Sequence, residues 1–345
     1  MSTANLDSAD LKAVTRGGLI REDVMNKIWD ISKIPLPFTD MVGTESTTNE
    51  YKEWTTDELA APDVTNAVVD GSDASGNDTK TGARVGNHCQ ISDKIVRVSY
   101  RADASNIIGR AKELSYQLMR RQQELRRDVE AIALFNQASV ADNGDAVAGK
   151  AGGLPSWLET NSINGTAGGF NPATGLTVAR TPGAKAALTE KDIRDAMESV
   201  YQEGGNPTKM MSIPSVIRKF SEYLFSSSAR VATLMSDQGK STEQATALGS
   251  VNVFVTDFGT LTMIPNRLQQ KHKDSGGTDD VADVFILDPE YLSLCYLEGY
   301  RTETLAKTGL AENRQMCVDW TLIVNTEKAH AIIGDIDPTA AVTAS

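Results

Sequence analysis

The sequence predicts an α+β fold, in which helices and mainly antiparallel strands occupy separate stretches of the chain. One long helical stretch covers residues 101–138, and two more helices lie close together after residue 188. The remaining apolar segments are short and are separated by Gly, Pro, Asn and Asp, as is typical of strands joined by turns. A chain of 345 residues is long enough for two compact units or one elongated one.

The composition indicates an ordinary soluble chain with an acidic balance. The 34 basic and 46 acidic residues give a formal net charge of −12, which argues against a nucleic-acid-binding surface because such surfaces are normally basic. Cys89, Cys295 and Cys317 are far apart, so we expect no disulfide framework, no zinc site and synthesis in a reducing cytoplasm. The first ten residues, MSTANLDSAD, have neither a basic region nor an apolar core, so we expect no signal peptide, and no apolar run approaches the ~20 residues of a membrane span. We therefore expect a soluble intracellular product.

The long helical stretch at residues 101–138 is the element around which the rest of the chain is organised. Its apolar residues recur in steps of three and four and form one stripe, with a polar gap in the middle. The stripe consists of Ile107, Ala111, Leu114, Leu118, Leu125, Val129 and Ile132. Asp103 or Ser105 is expected to cap the start of the helix. We predict a helix of roughly 50 Å whose apolar face lies on a sheet.

The polar residues of this stretch are expected on its solvent-facing surface. They include Glu130 and Glu124, and Glu124 is expected to meet Arg120 or Arg127. A coiled coil is the alternative, but it requires three or four clean heptads, and one gapped stripe supports it only weakly.

Residues 1–48 are predicted to form an arm. They carry one amphipathic patch, made of Leu19, Ile20, Val24, Ile28 and Trp29. The prolines of IPLPF, residues 34–38, favour an extended path. This is too little apolar material for an independent domain, so we expect the arm to lie on another surface, and a partner is one explanation.

Residues 49–100 are predicted to form a long two-stranded ribbon. One limb begins at YKEWTTDEL, the other is RVGNHCQISDKIVRVSY, and the polar stretch VVDGSDASGNDTKTGA forms the tip between them. Two strands alone are marginally stable in water, and neither limb offers a broad apolar face. We expect the ribbon to reach onto a neighbouring subunit; a hairpin folded on its own domain is the alternative.

Residues 143–175, which follow the long helix, are rich in glycine and are predicted to be a loop. Asn143-Gly144 and Asn164-Gly165 are turn signals within it, and Trp157 is its expected anchor. Loops of this length are usually functional or held by their neighbours.

Beyond this loop the pattern predicts two helices and several antiparallel strands. The first helix has Thr189 as N-cap, Asp192 completing a near capping box, and Gly204 as its stop. The second begins at Pro214 or Ser215. The predicted strands are KMMSI, a hairpin turning at Asp257–Gly259, two strands joined at Asp288–Pro289, and two short strands within CVDWTLIVNTEKAHAIIGDI.

The sharpest catalytic motif is GDAVAGKA at residues 144–151, which matches the phosphate-loop pattern G-x-x-x-x-G-K. Ala151 stands where that loop requires Ser or Thr to hold magnesium. No buried strand leads into the motif, and no helical pattern follows it. We interpret it as a chance match in a glycine-rich loop.

The other chemically reactive residues form no recognisable site. His88, His272 and His330 lie in three different segments without neighbouring acidic ligands, so we expect them to be solvated or locally hydrogen-bonded. The three cysteines are expected to be small packed residues. No nucleophile elbow, zinc-protease motif or dinucleotide fingerprint occurs. The sequence therefore predicts no catalytic residue, no metal site and no cofactor.

Several segments, taken in their order and spacing, resemble the major capsid proteins of tailed bacteriophages with the Hong Kong-97 (HK-97) type fold. The similarity is strongest to the coat-protein branch of elongated-headed enterobacterial phages and extends from about Tyr51 to Ile336. The segments are RVGNHCQISDKIVRVSYRADASN, KELSYQLMRRQQELRRDVE, GGLPSWLETN, TDFGTLTMIPNR, LDPEYLSL and LAKTGLAENRQMCVDWTLIVNTEKAHAII. The resemblance implies an N-terminal arm (1–48), an extended loop (49–100), a peripheral domain with a spine helix (101–184), an axial domain (185–300), and the closing strands and tail of the peripheral domain (301–345).

The resemblance also implies a structural role rather than an enzymatic one. Copies of the chain would form hexamers and pentamers that close into an icosahedral or elongated virion shell around double-stranded DNA, without sequence-specific binding. A scaffolding protein, a portal and decoration proteins are further expected partners, and no membrane is. The alternatives are a non-viral encapsulating shell protein of the same fold and a soluble enzyme with an unrecognised site.

The interpretation of the GDAVAGKA motif can be tested by changing its lysine. If Lys150 is only a loop residue, Lys150→Ala should leave subunit stability and particle yield essentially unchanged, because no phosphate depends on its charge. Isothermal titration with ATP checks this directly. ATP binding by the unmodified chain that disappears in the variant would reverse the interpretation.

Overall fold

A computed structural model describes residues 35–71, 73, 79, 81–226, 253–307 and 309–340. The predicted amphipathic patch at residues 19–29 lies outside them. The helices are α1 (Tyr100–Ala104), α2 (Glu113–Ala133), α3 (Glu190–Gln202) and α4 (Pro214–Ser226). The strands are β1 (Gly43–Ser46), β2 (Tyr51–Thr56), β3 (Ala83–His88), β4 (Gln90–Ser99), β5 (Ser162–Ile163), β6 (Gly169–Asn171), β7 (Leu176–Val178), β8 (Lys209–Ser212), β9 (Val253–Thr256), β10 (Gly259–Pro265), β11 (His272–Lys273), β12 (Asp280–Leu287), β13 (Leu292–Thr304), β14 (Ala311–Val324) and β15 (Ala331–Ile336).

Two larger sheets and two small hairpins account for the strands of the described residues. A four-stranded sheet has the order β1-β13-β14-β4. A seven-stranded sheet has the order β5-β15-β12-β8-β10-β9, with β11 paired to β12. The pairs β2-β3 and β6-β7 stand apart. Most strand pairs are antiparallel, which confirms the predicted α+β class, although β8 lies between α3 and α4 in sequence.

The long helix is shorter than predicted, because the chain breaks between α1 and α2. Ser105 adopts an extended conformation at the end of α1, and Gly109 has a φ of +77°, a left-handed conformation that a helix cannot contain. Helix α2 therefore begins at Glu113 and its 21 residues span about 31 Å. Asp103 does serve its start, since its carboxylate accepts a hydrogen bond from the Leu114 backbone N–H at 3.1 Å.

The apolar stripe of α2 lies on the four-stranded sheet, as predicted. Leu125 and Val129 are fully buried, while Leu118 is partly buried against the same apolar cluster. The helix packs on β4 and β14 of that sheet. The predicted stripe members Ile107 and Ala111 fall before the helix begins.

Two polar residues of α2 differ from the prediction. Glu124 pairs with Arg121, three residues earlier, rather than with Arg120 or Arg127. Glu130 was predicted on the surface and is fully buried. Its carboxylate accepts hydrogen bonds from the backbone of Phe38 and Thr39, from the Thr39 hydroxyl and from the Asn266 amide. These donors stabilise a charge that burial would otherwise disfavour.

The predicted ribbon divides into a hairpin and a sheet strand. Strands β2 and β3 pair antiparallel from Tyr51 with His88 to Thr56 with Ala83. After Cys89 the chain leaves the hairpin, and β4 pairs along its whole length with β14. The second predicted limb is thus two strands, and only the first belongs to the ribbon.

The base of the hairpin also packs on its own subunit, contrary to the prediction that it lacks an apolar face. Trp54 and Val85 contact the main apolar cluster, and the Trp54 ring lies 5.2 Å from that of Trp157. The Asn87 side chain donates to the Leu322 carbonyl at 2.8 Å and accepts from the Gly152 N–H at 2.8 Å. The alternative of a hairpin folded on its own domain is therefore correct for the base.

The end of the predicted arm belongs to the core. Phe38 is fully buried, and residues 37–40 form a turn rather than an extended path. Strand β1 pairs in parallel with β13, with Gly43 opposite Ser293. The prediction of an arm on another surface is thus wrong for residues 35–46. For the residues before 35 it stays a prediction.

The local signals of the later chain are confirmed. Thr189 and Asp192 form a reciprocal capping box, and Gly204 has a φ of +91° just beyond the end of α3. Asn164 and Gly165 have φ values of 62° and 65°, as the predicted turn requires. Trp157, the predicted anchor, is buried, although the glycine-rich segment also contains β5 and β6. Strand β14 is 14 residues long and not short as predicted.

Two predicted domain boundaries cut through the observed sheets. Strand β13 runs across the predicted boundary between residues 300 and 301. Strand β15, predicted with the peripheral domain, pairs with β12 in the seven-stranded sheet. One apolar cluster lies between α2 and the four-stranded sheet and also includes Met211, Phe285, Leu287 and Ile332 of the seven-stranded sheet. A second cluster lies between α3, α4 and the seven-stranded sheet.

The packing of α2 can be tested by truncating one residue from each of its faces. Leu125→Ala should lower the free energy of unfolding by about 2–5 kcal/mol, because it removes a fully buried side chain and leaves a cavity. Arg126→Ala, on the exposed face above the Tyr300 ring, should cost less than about 1 kcal/mol. Urea unfolding of the isolated subunits gives both values. Equal losses would show that the assignment of the faces is wrong.

Candidate functional site

The GDAVAGKA segment has the geometry of a surface loop. Val140 and Lys150 exchange backbone hydrogen bonds of 3.0 and 2.9 Å and close the loop between them. Inside it, the Asn143 side chain accepts from the backbone N–H groups of residues 145, 146 and 147. A phosphate loop would instead connect a buried strand to a helix.

Two of the three histidines make local structural contacts. His330 is fully buried, and its Nδ1 accepts from the Asp288 backbone N–H at 3.2 Å. Burial lowers the pKa of His330 to about 3, so the ring is neutral. The His88 ring lies 4.5 Å from the Tyr51 ring, and burial lowers its pKa as well.

The third histidine belongs to an ionic cluster that the sequence did not predict. His272 Nε2 lies 3.0 Å from a carboxylate oxygen of Asp335, and His272 Nδ1 lies 3.7 Å from Asp283. The Arg180 guanidinium bonds to Asp335 and lies 3.5 Å from Asp283. The four residues come from the segment after β7 and from β11, β12 and β15, so sequence spacing does not connect them. One feature of the sequence could have indicated this cluster: each of the apolar strands VADVFIL and AIIGDI contains an aspartate, which is rarely buried without a charged partner.

The charges of this cluster compensate one another out of contact with water. Burial raises the pKa of Asp283. Burial also raises the pKa of Asp335, but hydrogen bonds from His272, Arg180 and the Gly183 backbone outweigh it and bring this pKa to about 2. Burial lowers the pKa of His272, yet the Asp335 hydrogen bond and the two carboxylates together raise it above the ordinary value. A Cβ at Gly334 would collide with Arg180, so glycine lets the guanidinium reach Asp335.

The cluster offers metal-type ligands but does not require a metal. One imidazole nitrogen and two carboxylate oxygens, from His272, Asp283 and Asp335, lie within 4.8 Å of one another. The Arg180 guanidinium already supplies the positive charge between the two carboxylates. We therefore interpret the cluster as an ionic cross-link that holds the segment after β7 on the seven-stranded sheet.

Exposed apolar side chains mark the projecting end of the ribbon. Leu59, Val64, Val68 and Val69 are between 78 and 96% exposed. Residues 57–82, which connect β2 to β3, contain six acidic residues and one basic residue, a net charge of −5. A segment that exposes several large apolar side chains together is typical of a surface that binds another molecule.

The surface formed by β4, α1 and α2 has the opposite charge. Residues 94–128 contain nine basic and four acidic residues, a net charge of +5 in a chain whose total is −12. Four of the basic residues form ion pairs within this range: Lys94 with Asp128, Arg110 with Glu113, Lys112 with Asp103, and Arg121 with Glu124. The edge strand β4 also exposes Ile91 and Ile95.

Among the helices of the described residues, none is long and apolar enough to cross a bilayer.

The ionic cluster predicts a pH-dependent contribution of His272 to stability. Because the folded pKa is raised, the contribution is complete below the unfolded pKa of about 6.5 and is lost as the pH rises through the folded pKa. His272→Gln should therefore cost about 1.5–3 kcal/mol near pH 5.5, the range for hydrogen bonds to charged groups, and clearly less near pH 9. Urea unfolding at the two pH values measures the difference.

His88→Gln is the matched control. The folded pKa of His88 is lowered, so its protonation opposes folding and its replacement should not cost more at acidic pH. If His272→Gln cost the same at both pH values, the imidazolium would not take part in the cluster.

Comparisons with known proteins were made for the sequence and for the fold. The profile of the SU10 major capsid protein family matches residues 3–337. The major capsid protein of Escherichia phage Phieco32 is 41% identical over 113 residues, which are 33% of this chain and 32% of that protein, so the match spans about a third of each.

Solved structures of low sequence identity share the fold. The capsid structure of the cyanophage P-SCSP1u superimposes with a TM-score of 0.54 at 14% identity, covering 99% of this chain and 100% of that one. The holo-SrpI encapsulin complex from Synechococcus elongatus PCC 7942 gives a TM-score of 0.54 at 12% identity, covering 99% of both chains. The architecture is thus the α+β HK97-like capsid fold. Because the family profile matches nearly the whole chain, the protein belongs to the SU10 major capsid protein family, whose members are structural proteins of the virion capsid and not enzymes.

Proposed function

We propose that this chain is the subunit of a tailed-phage head that assembles with copies of itself into hexamers and pentamers. The resulting shell encloses double-stranded DNA without reading its sequence. The observation that carries the proposal is the tip of the ribbon, residues 57–82, which presents exposed valine and leucine side chains and an acidic charge. A tip of this composition gains stability when a second subunit covers it.

The basic surface formed by β4, α1 and α2 is the complementary surface for that tip. The tip carries −5 and residues 94–128 carry +5, so the two attract each other between subunits. Because every subunit of a closed lattice makes this contact, its total contribution to the stability of the shell grows with the number of copies.

The hairpin base gives the tip a fixed direction. Asn87 joins β3 to the Leu322 and Gly152 backbone, and Trp54 packs against Trp157. Because these contacts lie within one subunit, the orientation of the tip is fixed before a neighbouring subunit binds. Binding then costs less conformational entropy.

The boundaries of the capsid parts follow the observed elements in this proposal. The arm comprises the residues before 35, the extended loop is residues 51–88, and the spine helix is α2. The peripheral domain is the four-stranded sheet with α2, and the axial domain is the seven-stranded sheet with α3 and α4. A scaffolding protein, a portal and decoration proteins are further proposed partners.

A non-viral encapsulating shell is the second candidate function, because the fold also matches an encapsulin. The two candidates differ in what native particles contain. Double-stranded DNA recovered from nuclease-treated particles supports the phage head, whereas a co-purifying cargo enzyme supports the encapsulating shell. The match of the family profile over residues 3–337 favours the phage head.

Charge reversal on the two surfaces tests the proposed contact. The pair Asp63→Lys and Asp70→Lys on the tip should abolish shells, because two attractions become repulsions. The pair Arg101→Glu and Arg126→Glu on the basic surface should do the same. Combining all four changes should restore assembly, since the charges are then exchanged. Light scattering after size-exclusion chromatography measures assembly, and a thermal melt confirms that every variant folds.

The control is the pair Asp145→Lys and Glu290→Lys, two exposed acidic residues outside both surfaces. It changes the net charge by the same amount as the tip pair and should leave assembly intact.

Moderate salt should weaken assembly of the unmodified chain, because exposed ion pairs are screened beyond ~10 Å at 0.1 M. Shells formed by the tip variant alone, or no rescue in the fourfold variant, would contradict the proposed contact.

A further inference from the structure

A groove of about 720 Å³ lies beside the base of the ribbon. It is bounded by the two ends of the hairpin tip, by the segment around Trp157 and Phe170, and by the turn at Glu327–Ala329. Its volume falls within the range of roughly 300–1,000 Å³ that is typical of ligand pockets in proteins.

The floor of the groove is aromatic. The Trp157 and Phe170 rings are stacked with a centroid distance of 5.8 Å and an interplanar angle of 3°. Val85, Tyr291 and Val324 extend this apolar lining. Trp157 and Val324 are only 3 and 2% exposed, so Phe170, Val85 and Tyr291 offer the apolar area that an aliphatic side chain can remove from water.

The rim of the groove is acidic. Five carboxylates and two basic side chains line it, so its formal charge is −3. Both basic groups already have partners: Lys328 binds Glu58 and Glu203 at 2.8 and 2.9 Å, and Arg84 binds Glu53. The groove is therefore complementary to an apolar segment that brings positive charge and no negative charge.

One stretch of the chain outside the described residues has this composition. Leu11–Arg21, with the sequence LKAVTRGGLIR, contains three basic residues, five aliphatic residues and no acidic residue. Residues 227–252 contain two acidic and two basic residues, and residues 341–345 contain no charged side chain. Charge complementarity therefore selects Leu11–Arg21 among these segments.

The tether is long enough for this segment to reach the groove of its own subunit. Fourteen Cα steps separate Arg21 from Pro35, and an extended chain of that length spans up to about 50 Å. Three residues further on, Phe38 is buried in the same apolar cluster as Trp157. A segment tethered at this distance meets its own groove at a high effective concentration.

We propose that the groove beside the ribbon base binds Leu11–Arg21 of the same chain. The aliphatic side chains of the segment contact Phe170, Val85 and Tyr291, and its cations lie near the carboxylates of the rim. This contact exists within one subunit and goes beyond the proposed role in the shell.

Site-specific photocrosslinking in the full-length chain tests the proposal. A benzophenone amino acid replaces Leu19, the unassembled subunit is irradiated, and cross-linked peptides are identified by mass spectrometry. The expected product joins position 19 to the peptide that contains residues 157–170. Irradiating a mixture of unlabelled and ¹⁵N-labelled subunits should give no mixed-isotope product, because the contact is intramolecular.

Charge variants measure specificity. Arg16→Glu and Glu159→Lys should each lower the crosslink yield by about threefold or more, and the two changes together should recover much of it. Lys27→Glu, outside the segment, is the matched control and should leave the yield unchanged. Circular dichroism and a thermal melt confirm that each variant is folded.

Three outcomes would overturn the proposal. Crosslinks to another surface would assign the segment elsewhere, and a mixed-isotope product would make the occupant a second copy. The absence of any crosslink from position 19 would show that the groove does not hold the segment. All three outcomes are measured on the unassembled subunit. An error in the proposed contact between subunits would therefore produce none of them.

Discussion

The relative positions of three parts of the subunit depend on the buried carboxylate of Glu130 in α2. It accepts hydrogen bonds from the Phe38 N–H at 2.9 Å, from the Thr39 N–H at 2.7 Å and from the Asn266 amide at 2.8 Å. These donors lie on the segment that enters the four-stranded sheet and on the segment that leaves β10 of the seven-stranded sheet. A buried charge is tolerated only with its donors in place, so the helix cannot shift on either sheet without leaving the charge partly unsatisfied. The ionic cluster at Arg180 acts in the same way within the second sheet.

The subunit therefore closes its own apolar clusters, and its ribbon tip remains exposed for contact with neighbouring subunits. The two apolar clusters are closed by α2, α3 and α4, and the buried charges of Glu130 and Arg180 have partners inside the chain. The tip of the ribbon is different, because its described valines and leucine contact water. Since the base of the ribbon is anchored by Asn87 and Trp54, the tip is presented rather than left to collapse onto its own sheet. The two sheets and their helices bury their own apolar residues, whereas the ribbon tip does not. This difference is the physical reason to expect that the tip contacts a neighbouring subunit in a lattice.

Features encoded by a few adjacent residues could be predicted from the sequence, and features set by distant contacts could not. The capping box at Thr189 and the turn at Asn164-Gly165 are local, and both were predicted. The break before α2 was missed because the residues around Gly109 remain compatible with a helix. The separation of β3 from β4 was missed because no Gly or Pro lies between Asn87 and Ser99 to mark it. Glu130 resembles a surface residue of an amphipathic helix until its donors, 91 and 136 residues away, are known. The capsid fold itself was predicted from the order of weak segments rather than from any single motif.

The net charge of −12 argues against a nucleic-acid-binding surface, but a total charge does not exclude a basic region on one part of the molecule. Residues 94–128 carry +5, so the rest of the chain carries −17. Most of these basic residues lie on β4, α1 and α2, whereas the described part of the ribbon tip contains Asp57, Glu58, Asp63, Asp70 and Asp73. If tips cover the basic surfaces of neighbouring subunits, the shell hides its basic regions in its contacts and keeps an excess of acidic residues elsewhere. An inner wall of that character repels packaged DNA, because like charges at short range raise the free energy of contact. The same separation of charge that favours assembly would then keep the enclosed polyanion from binding to the wall.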